Sequence, residues 1–313
     1  MIDIIIPNYN GAALLPACLD ALRRQTRQDF VATVVDDGST DSSLEVLEAQ
    51  YPEVQVIRLQ SNHGLAAAIN IAIARTSSPF VVLLNNDTEA DPSWLAELVG
   101  TLERYPNYAF AASKLMLFDR RDVLHAAGDG YTPSGRPFNR GVWQPDRGQY
   151  DALTEVWGPC AGAAAYRRCA LERLAIGGLV LDNDLFMYCE DVDLNLRARL
   201  AGFRTIFVPA AVVYHRLSAT GGGTLASYYC GRNFIDVWAK NMPARLIRRH
   251  LTSFVIFQLG TALDALRHIT GAAARARLRG QVAGMRDLPR FLRKRRERRQ
   301  CVTDQEFAQW LGR

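Results

Sequence analysis

Apolar, β-branched runs alternate with helix-periodic segments through the first third of the chain, and two of those runs close on clusters of acids and amides. Residues 2–7 form an apolar run ended by proline, and residues 11–25 carry Leu14, Leu15, Leu19 and Leu22 at helical spacing. Residues 30–35 read as the next strand and run into Asp36-Asp37-Gly38, a turn signal. Asp41 is placed to cap a helix over 44–50, residues 54–59 predict a third strand, and 65–74 an Ala/Ile-rich helix. The stretch 80–84 predicts a buried strand, and Asp91-Pro92 supplies the cap and first position of a helix with Leu95, Leu98, Val99 and Leu102 on one face. Such alternation through short polar turns predicts an α/β fold, a Rossmann-like, mixed but mostly parallel sheet flanked by helices. Ligands of these sheets lie beyond the carboxyl ends of the strands, where Asp36-Asp37 and Asn85-Asn86-Asp87 fall.

Between residues 119 and 155 the periodicity weakens and Gly, Pro, Arg and Trp accumulate, which reads as a long loop region with room for a hairpin over the site. Patterning returns over 156–167, a helix is expected over 190–201 and a strand over 205–208 leading to His215, and Gly221-Gly222-Gly223 marks a flexible connection. No internal repeat is visible. After residue 244 the chain is helical in pattern and basic: residues 244–313 hold 16 Lys+Arg against 5 Asp+Glu, a balance of +11 within a total of +5, so residues 1–243 carry −6. The expected division is therefore a sheet domain over 1–243 and a basic helical extension over 244–313. The six cysteines are scattered without a zinc-like spacing and read as free thiols of a reducing compartment. Neither a signal peptide nor an apolar run of ~18 or more residues is evident, so the expectation is a cytoplasmic protein.

Four ordered motifs carry a resemblance. Residues 4–10 (IIIPNYN), 34–41 (VVDDGSTD), 83–88 (LLNNDT) and 187–193 (MYCEDVD), with Asn62-His63-Gly64-Leu65 and Asn70 between them, resemble the glycosyltransferase family 2 enzymes of GT-A fold over about residues 1–215. Within that family the chain is most similar to the rhamnosyltransferase-like branch of cell-surface glycan enzymes. The resemblance implies inverting, metal-dependent transfer of a sugar, rhamnose from dTDP-rhamnose or another UDP- or dTDP-sugar, onto a lipid-linked or cell-envelope glycan acceptor. It implies nucleotide-sugar contacts at Pro7, Asn8, Tyr9, Asn10, Asp37, Asn62, Gly64, Asn70 and Asn86. The Q-x-x-R-W element of processive synthases is absent around Arg232-Asn233, so a single transfer is expected.

The residue types agree with that chemistry. A carboxylate at a strand end, Asp37, can accept from a base imide or a ribose hydroxyl, although Asp-Gly is also an ordinary turn. In the D-x-D position only Asp87 is acidic, which makes it the expected ligand of Mn²⁺ or Mg²⁺ together with diphosphate oxygens and water. His215 either completes that metal shell or packs as a core histidine. Glu190 and Asp191 open a helix, where the dipole favours an ionised carboxylate; Asp191 is the expected base and Glu190 its neighbour or an acceptor contact. Asp193 reads equally as a first-turn helix acid, and Glu89 as an early-helix acid. The resemblance places Trp157 and Gly162 in the family's acceptor-facing loop, Trp157 as a flat sugar platform or a core residue. Arginines following the apolar residues of 251–266 suit a helix on an anionic membrane surface, with solvated packing helices as the alternative; the lack of interleaved aromatics in the run 290–299 speaks against nucleic acid. The two neutral amides before Asp87 leave room for a non-catalytic binding relative, whereas no G-x-G-x-x-G supports a dehydrogenase.

Overall fold

A computed structural model describes residues 1–217 and 223–312; Gly221 and Gly222 of the expected flexible connection lie outside the described residues. The strands are β1 (Ile2–Asn8), β2 (Phe30–Asp36), β3 (Gln55–Arg58), β4 (Phe80–Leu84), β5 (Thr88–Ala90), β6 (Phe110–Leu117), β7 (Leu124–Ala126), β8 (Asp129–Tyr131), β9 (Pro137–Asn139), β10 (Thr154–Val156), β11 (Ala163–Arg167) and β12 (Thr205–His215). The helices are α1 (Leu15–Arg23), α2 (Ser43–Gln50), α3 (Leu65–Arg75), α4 (Trp94–Arg104), α5 (Arg168–Leu174), α6 (Glu190–Leu200), α7 (Thr224–Asn241), α8 (Ala244–Arg267), α9 (Ala272–Lys294) and α10 (Asp304–Gln309).

The main sheet runs β10-β12-β6-β11-β4-β1-β2-β3. The segment β3-β2-β1-β4 is parallel and β6 pairs parallel with β12, whereas β11 runs antiparallel between β4 and β6. The mixed, mostly parallel sheet is thus the expected one, with β12 longer than the strand read from sequence because a bulge between Val208 and Val212 lets it continue to His215. Period-two alternation sets the layers: Ile2, Ile4 and Ile6 of β1 face a core shared with α1 and α4, while Ile5 faces one shared with α3 and α5. Glu89, expected at a helix start, instead lies on β5 and pairs with Arg121 at 2.8 Å.

The region 119–155 is more structured than its composition suggested: β7 joins the main sheet, and β8 and β9 form a separate hairpin. A third core ties this region to the C-terminal helices through Tyr131, Trp157, Trp238, Phe254, Phe291 and Phe307. Residue 243 does not separate two cores, because α7 and α9 pack backbone to backbone. A Cβ added at Gly280 would sit 2.1 Å from the Tyr228 carbonyl oxygen, and one at Gly284 2.7 Å from that of Arg232. All six cysteines are unpaired, as expected.

Candidate active site

Two adjoining cavities open at the carboxyl ends of β1, β2 and β4. They share Pro7, Leu65, Asn85 and Met187 as a common wall. The first, about 330 Å³, is lined by Pro7, Asn8, Tyr9, Asp37, Asn62, Gly64 and Asn86 among others. The second, about 340 Å³, gathers Asp87, His125, Cys160, Gly162, Glu190, Asp191 and His215. Two acids more than a hundred positions apart in sequence, Asp87 and Asp191, therefore face one space.

Loop geometry in the first cavity is over-determined. Asp37 accepts the backbone N–H groups of His63 (2.8 Å) and Gly64 (2.9 Å), and burial pushes its carboxyl above the usual range against the pull of those donors. Gly64 has φ +90°, and a Cβ there would meet the Phe186 ring at 2.5 Å, so only glycine fits. Asn8 links the two strand ends, donating to Asp36 (3.0 Å) and accepting from Asn86 (2.7 Å).

Two residues expected to touch the nucleotide sugar do other work. Asn70 is buried on α3, with its amide donating to the Leu181 carbonyl and to Asn183 and accepting from the N–H groups of Val180 and Leu181; it pins the 180–183 segment and lines neither cavity. Asn10, at φ +51°, accepts from the N–H groups of Thr40 (2.8 Å) and Asp41 (3.3 Å) and so closes the loop behind the cavity. Trp157 is a core residue, stacked on Tyr131 at 5.5 Å between ring centroids, because its loop turns the indole toward the third core; Gly162 does face the second cavity.

The second cavity holds a chain of groups in hydrogen-bond reach. His215 Nε2 lies 3.1 Å from Asp87 Oδ1, and its Nδ1 lies 3.1 Å from Nδ1 of His125. Burial, reinforced by His215, pushes the His125 ring down to about 3, so it is neutral at physiological pH and can orient its neighbour. Asp87 Oδ1 is buried and receives no hydrogen bond of good geometry among the described residues. An oxygen and an imidazole nitrogen so placed, with one acid left under-satisfied, fit a divalent cation of the Mg²⁺ or Mn²⁺ class. His125 was missed in the sequence because nothing in the weakly periodic region singles it out.

At the start of α6 burial outweighs the helix dipole. Glu190 is pushed up to about 8 by burial and then by Asp191, and its Oε2 has no partner among the described residues. Asp191 is also pushed up by burial, held back by the N–H groups of Ala161 (3.3 Å) and Val192 (2.7 Å). The dipole's expected preference for the ionised form is opposed by burial, which raises both acids and makes them stronger bases than free carboxylates. Asp193, by contrast, is fully buried among Arg197, Lys240 and Asn241, which hold it ionised as a structural anchor. The segment leading into α6 is strained, with φ of +65°, +63° and +65° at Phe186, Tyr188 and Cys189. Asn233 of α7 holds it by donating its amide to the carbonyls of Leu185, Met187 and Tyr188.

The basic extension is partly internal. Arg290 pairs with Asp184, Lys294 with Asp182 and Asp184, and Arg295 and Arg298 donate to the carbonyls of Ala239 and Asn241. Phe254 of α8 stacks on Trp238. The opposite side of α8 exposes Leu251, Val255, Ile256, Leu259, Leu263 and Leu266. No helix among the described residues is long and apolar enough to cross a membrane.

Comparison with known proteins agrees with this geometry. The chain is 25% identical over 254 residues to an N-acetylglucosaminyl-diphospho-decaprenol L-rhamnosyltransferase of Mycobacterium tuberculosis, covering 71% of this chain and 78% of that protein. It is 31% identical over 233 residues to the O-antigen biosynthesis protein RfbC of Myxococcus xanthus, covering 70% of this chain but only 17% of that one, and it likewise spans a quarter of an uncharacterized Sinorhizobium fredii protein (25%). Among solved structures, a mannosyltransferase of Pyrobaculum calidifontis in complex with GDP-Man and Mn²⁺ superposes with a TM-score of 0.57 at 18% identity over 91% of this chain and 87% of that one. GalNAc-T7 with UDP, GalNAc and Mn²⁺ superposes at 0.61 and 17% over 77% and 48%. The sheet is that of the GT-A fold. The family model "Glycosyl transferase family 2" matches residues 3–174, the stretch that builds β1 to β4 and the acids at their ends, and the chain belongs to that family.

Proposed function

We propose that this glycosyltransferase inverts the anomeric centre of a UDP- or dTDP-sugar, dTDP-rhamnose foremost, in a single transfer to a hydroxyl of a lipid-linked or cell-envelope glycan. The observation that carries the reading is the shared cavity of Asp87 and Asp191 beside the one lined by Asp37, Asn62 and Gly64. The sugar preference leans on the rhamnosyltransferase similarity. The nucleoside lies in the first cavity against Pro7, with Asp37 accepting from base or ribose, and the diphosphate reaches toward Asp87. Asp87 and His215 hold the divalent cation, which when bound neutralises charge on the nucleoside diphosphate. Asp191, from the far wall, takes the acceptor hydroxyl proton, and Gly162 leaves room for the acceptor ring. The grouping of Asp87 with Glu190 and Asp191 favours catalysis over binding alone.

The exposed stripe of α8, bordered by exposed Arg245, Arg248, Arg249 and Arg267, supports peripheral contact with an anionic leaflet that presents a lipid-linked acceptor. A thermal-shift panel of UDP-, dTDP- and GDP-sugars with Mn²⁺ tests the donor reading, since a ligand of the folded state raises its apparent stability. Stabilisation led by a dTDP- or UDP-sugar is expected; a response to GDP-sugars alone would refute it.

A further inference from the structure

Two histidines from different strands meet over β6 inside the second cavity. β12 pairs with β6 along one edge and β7 along the other, so His215 and His125 reach each other across that strand. Both are buried and both line the cavity, with ring centroids 4.9 Å apart and Nδ1 atoms at 3.1 Å. The backbone holds His125 from both sides. The Leu124 N–H donates to the Gln144 carbonyl, the Leu124 carbonyl accepts from Trp143, and the Ala127 N–H donates to the Arg140 carbonyl. We propose that His125 is a positioning residue that sets the tautomer of His215: it accepts the Nδ1 proton, leaves Nε2 bare beside Asp87, and so tips the cation site toward Mn²⁺ over Mg²⁺.

The physical argument concerns the place of one proton. His215 Nε2 lies 3.1 Å from Asp87 Oδ1, yet that oxygen accepts no hydrogen bond of good geometry among the described residues. The two atoms are close without bonding to each other, as two ligands converging on a third point are. Neighbouring ligands of an octahedral ion with bonds of about 2.1 Å stand about 3.0 Å apart, which matches the spacing seen. A nitrogen that ligates a cation carries no hydrogen, so ligation through Nε2 puts the proton of neutral His215 on Nδ1. Buried in the cavity wall, that N–H needs an acceptor, and the Nδ1 of His125 stands at hydrogen-bond distance. His125 then carries its own proton on Nε2. An imidazole nitrogen suits transition ions, whereas Mg²⁺ is served by carboxylate and water. Holding Nε2 bare therefore favours Mn²⁺ more than Mg²⁺.

The inference rests on Asp87 and His215 holding the cation, and its test needs no sugar transfer. Mn²⁺ is titrated into the full chain without nucleotide, free Mn²⁺ is followed by electron paramagnetic resonance, and Mg²⁺ affinity is read by competition. H125L, which removes the acceptor, should lose about 10–100-fold in Mn²⁺ affinity, the usual cost of removing the outer partner of a metal-bound histidine, and less in Mg²⁺ affinity. H125N returns an acceptor oxygen near the place of Nδ1; it should bind Mn²⁺ nearly as the wild type does, and it keeps the test informative if H125L fails to fold. Spin-echo spectra of the Mn²⁺-loaded chain should show a single directly bound imidazole nitrogen, present in wild type and H125N and absent in H215N. Unchanged Mn²⁺ affinity in H125L, equal losses for the two cations, a loss of about tenfold or more in H125N, or a second bound imidazole nitrogen would each overturn the positioning role. An H215N variant that binds Mn²⁺ as tightly as wild type would instead refute the cation reading on which the inference stands.

Discussion

The two cavities that meet at Pro7 and Leu65 are built on opposite principles. In the first cavity the single acid that faces the space among the described residues, Asp37, has both oxygens occupied by backbone donors, and Asn8 bridges Asp36 to Asn86. In the second cavity Asp87 and Glu190 each leave a buried oxygen without a good partner, and no cation balances Asp191 among the described residues. In the first, the acid and the amide bridge beside it are satisfied before any ligand arrives. The second carries electrostatic cost that a cation and a substrate proton relieve, which is the arrangement expected where binding energy is converted into transition-state stabilisation.

That contrast is broken or sharpened by variants on its two sides. The largest effect belongs to D191N, which should lower transfer by ~10²–10⁴-fold, the usual contribution of a positioned base, while donor affinity in calorimetry stays within about twofold because the residue lies outside the nucleotide cavity. Equal losses in rate and donor binding would merge the two cavities into one. Next is G64A: forcing a Cβ against Phe186 at φ +90° should cost about 1–3 kcal/mol of stability and weaken the donor, read by thermal melts and calorimetry, with the chemical step of bound donor little changed.

A smaller effect concerns pH. Glu190 is protonated in the folded chain up to about 8 but only up to about 4.5 when unfolded. Between those values the folded state binds the extra proton, so this residue's contribution to stability falls as pH rises through that window and is constant beyond it. E190Q should flatten that slope and raise the melting temperature at pH 8 relative to wild type; an unchanged slope would remove Glu190 from the set of strained acids. Smallest for catalysis is I256E/L259E on α8, which should reduce cosedimentation with anionic vesicles several-fold and leave donor binding unaltered.

The nucleotide half was legible because strand ends, turn chemistry and motif spacing are local: Asp37, Asn62, Gly64 and Asp87 lie within a turn of elements whose periodicity is plain. The other half depends on long-range placement. His125 comes from a region whose short strands are stabilised by β6, by the bridge from Asp129 to Gly158 and by the C-terminal helices rather than by their own pattern, so no local signal marked it. Asn70 and Trp157 show the converse limit, since an amide or an indole near a motif looks the same in sequence whether it turns toward ligand or into packing. The internal partners of the arginine run were hidden for a related reason: its charge was visible, but Asp182 and Asp184 lie over a hundred residues away.

The central claim is that the cation and the base share one cavity. Paramagnetic relaxation from Mn²⁺, followed on the ¹³C-carboxyl aspartates, tests it most directly because the broadening falls steeply with distance. On titrating Mn²⁺ into the wild-type chain, the account expects the Asp87 and Asp191 signals to vanish first, while Asp29, exposed at the opposite end of β2, persists. An Asp191 signal that survives as long as that of Asp29 would contradict it.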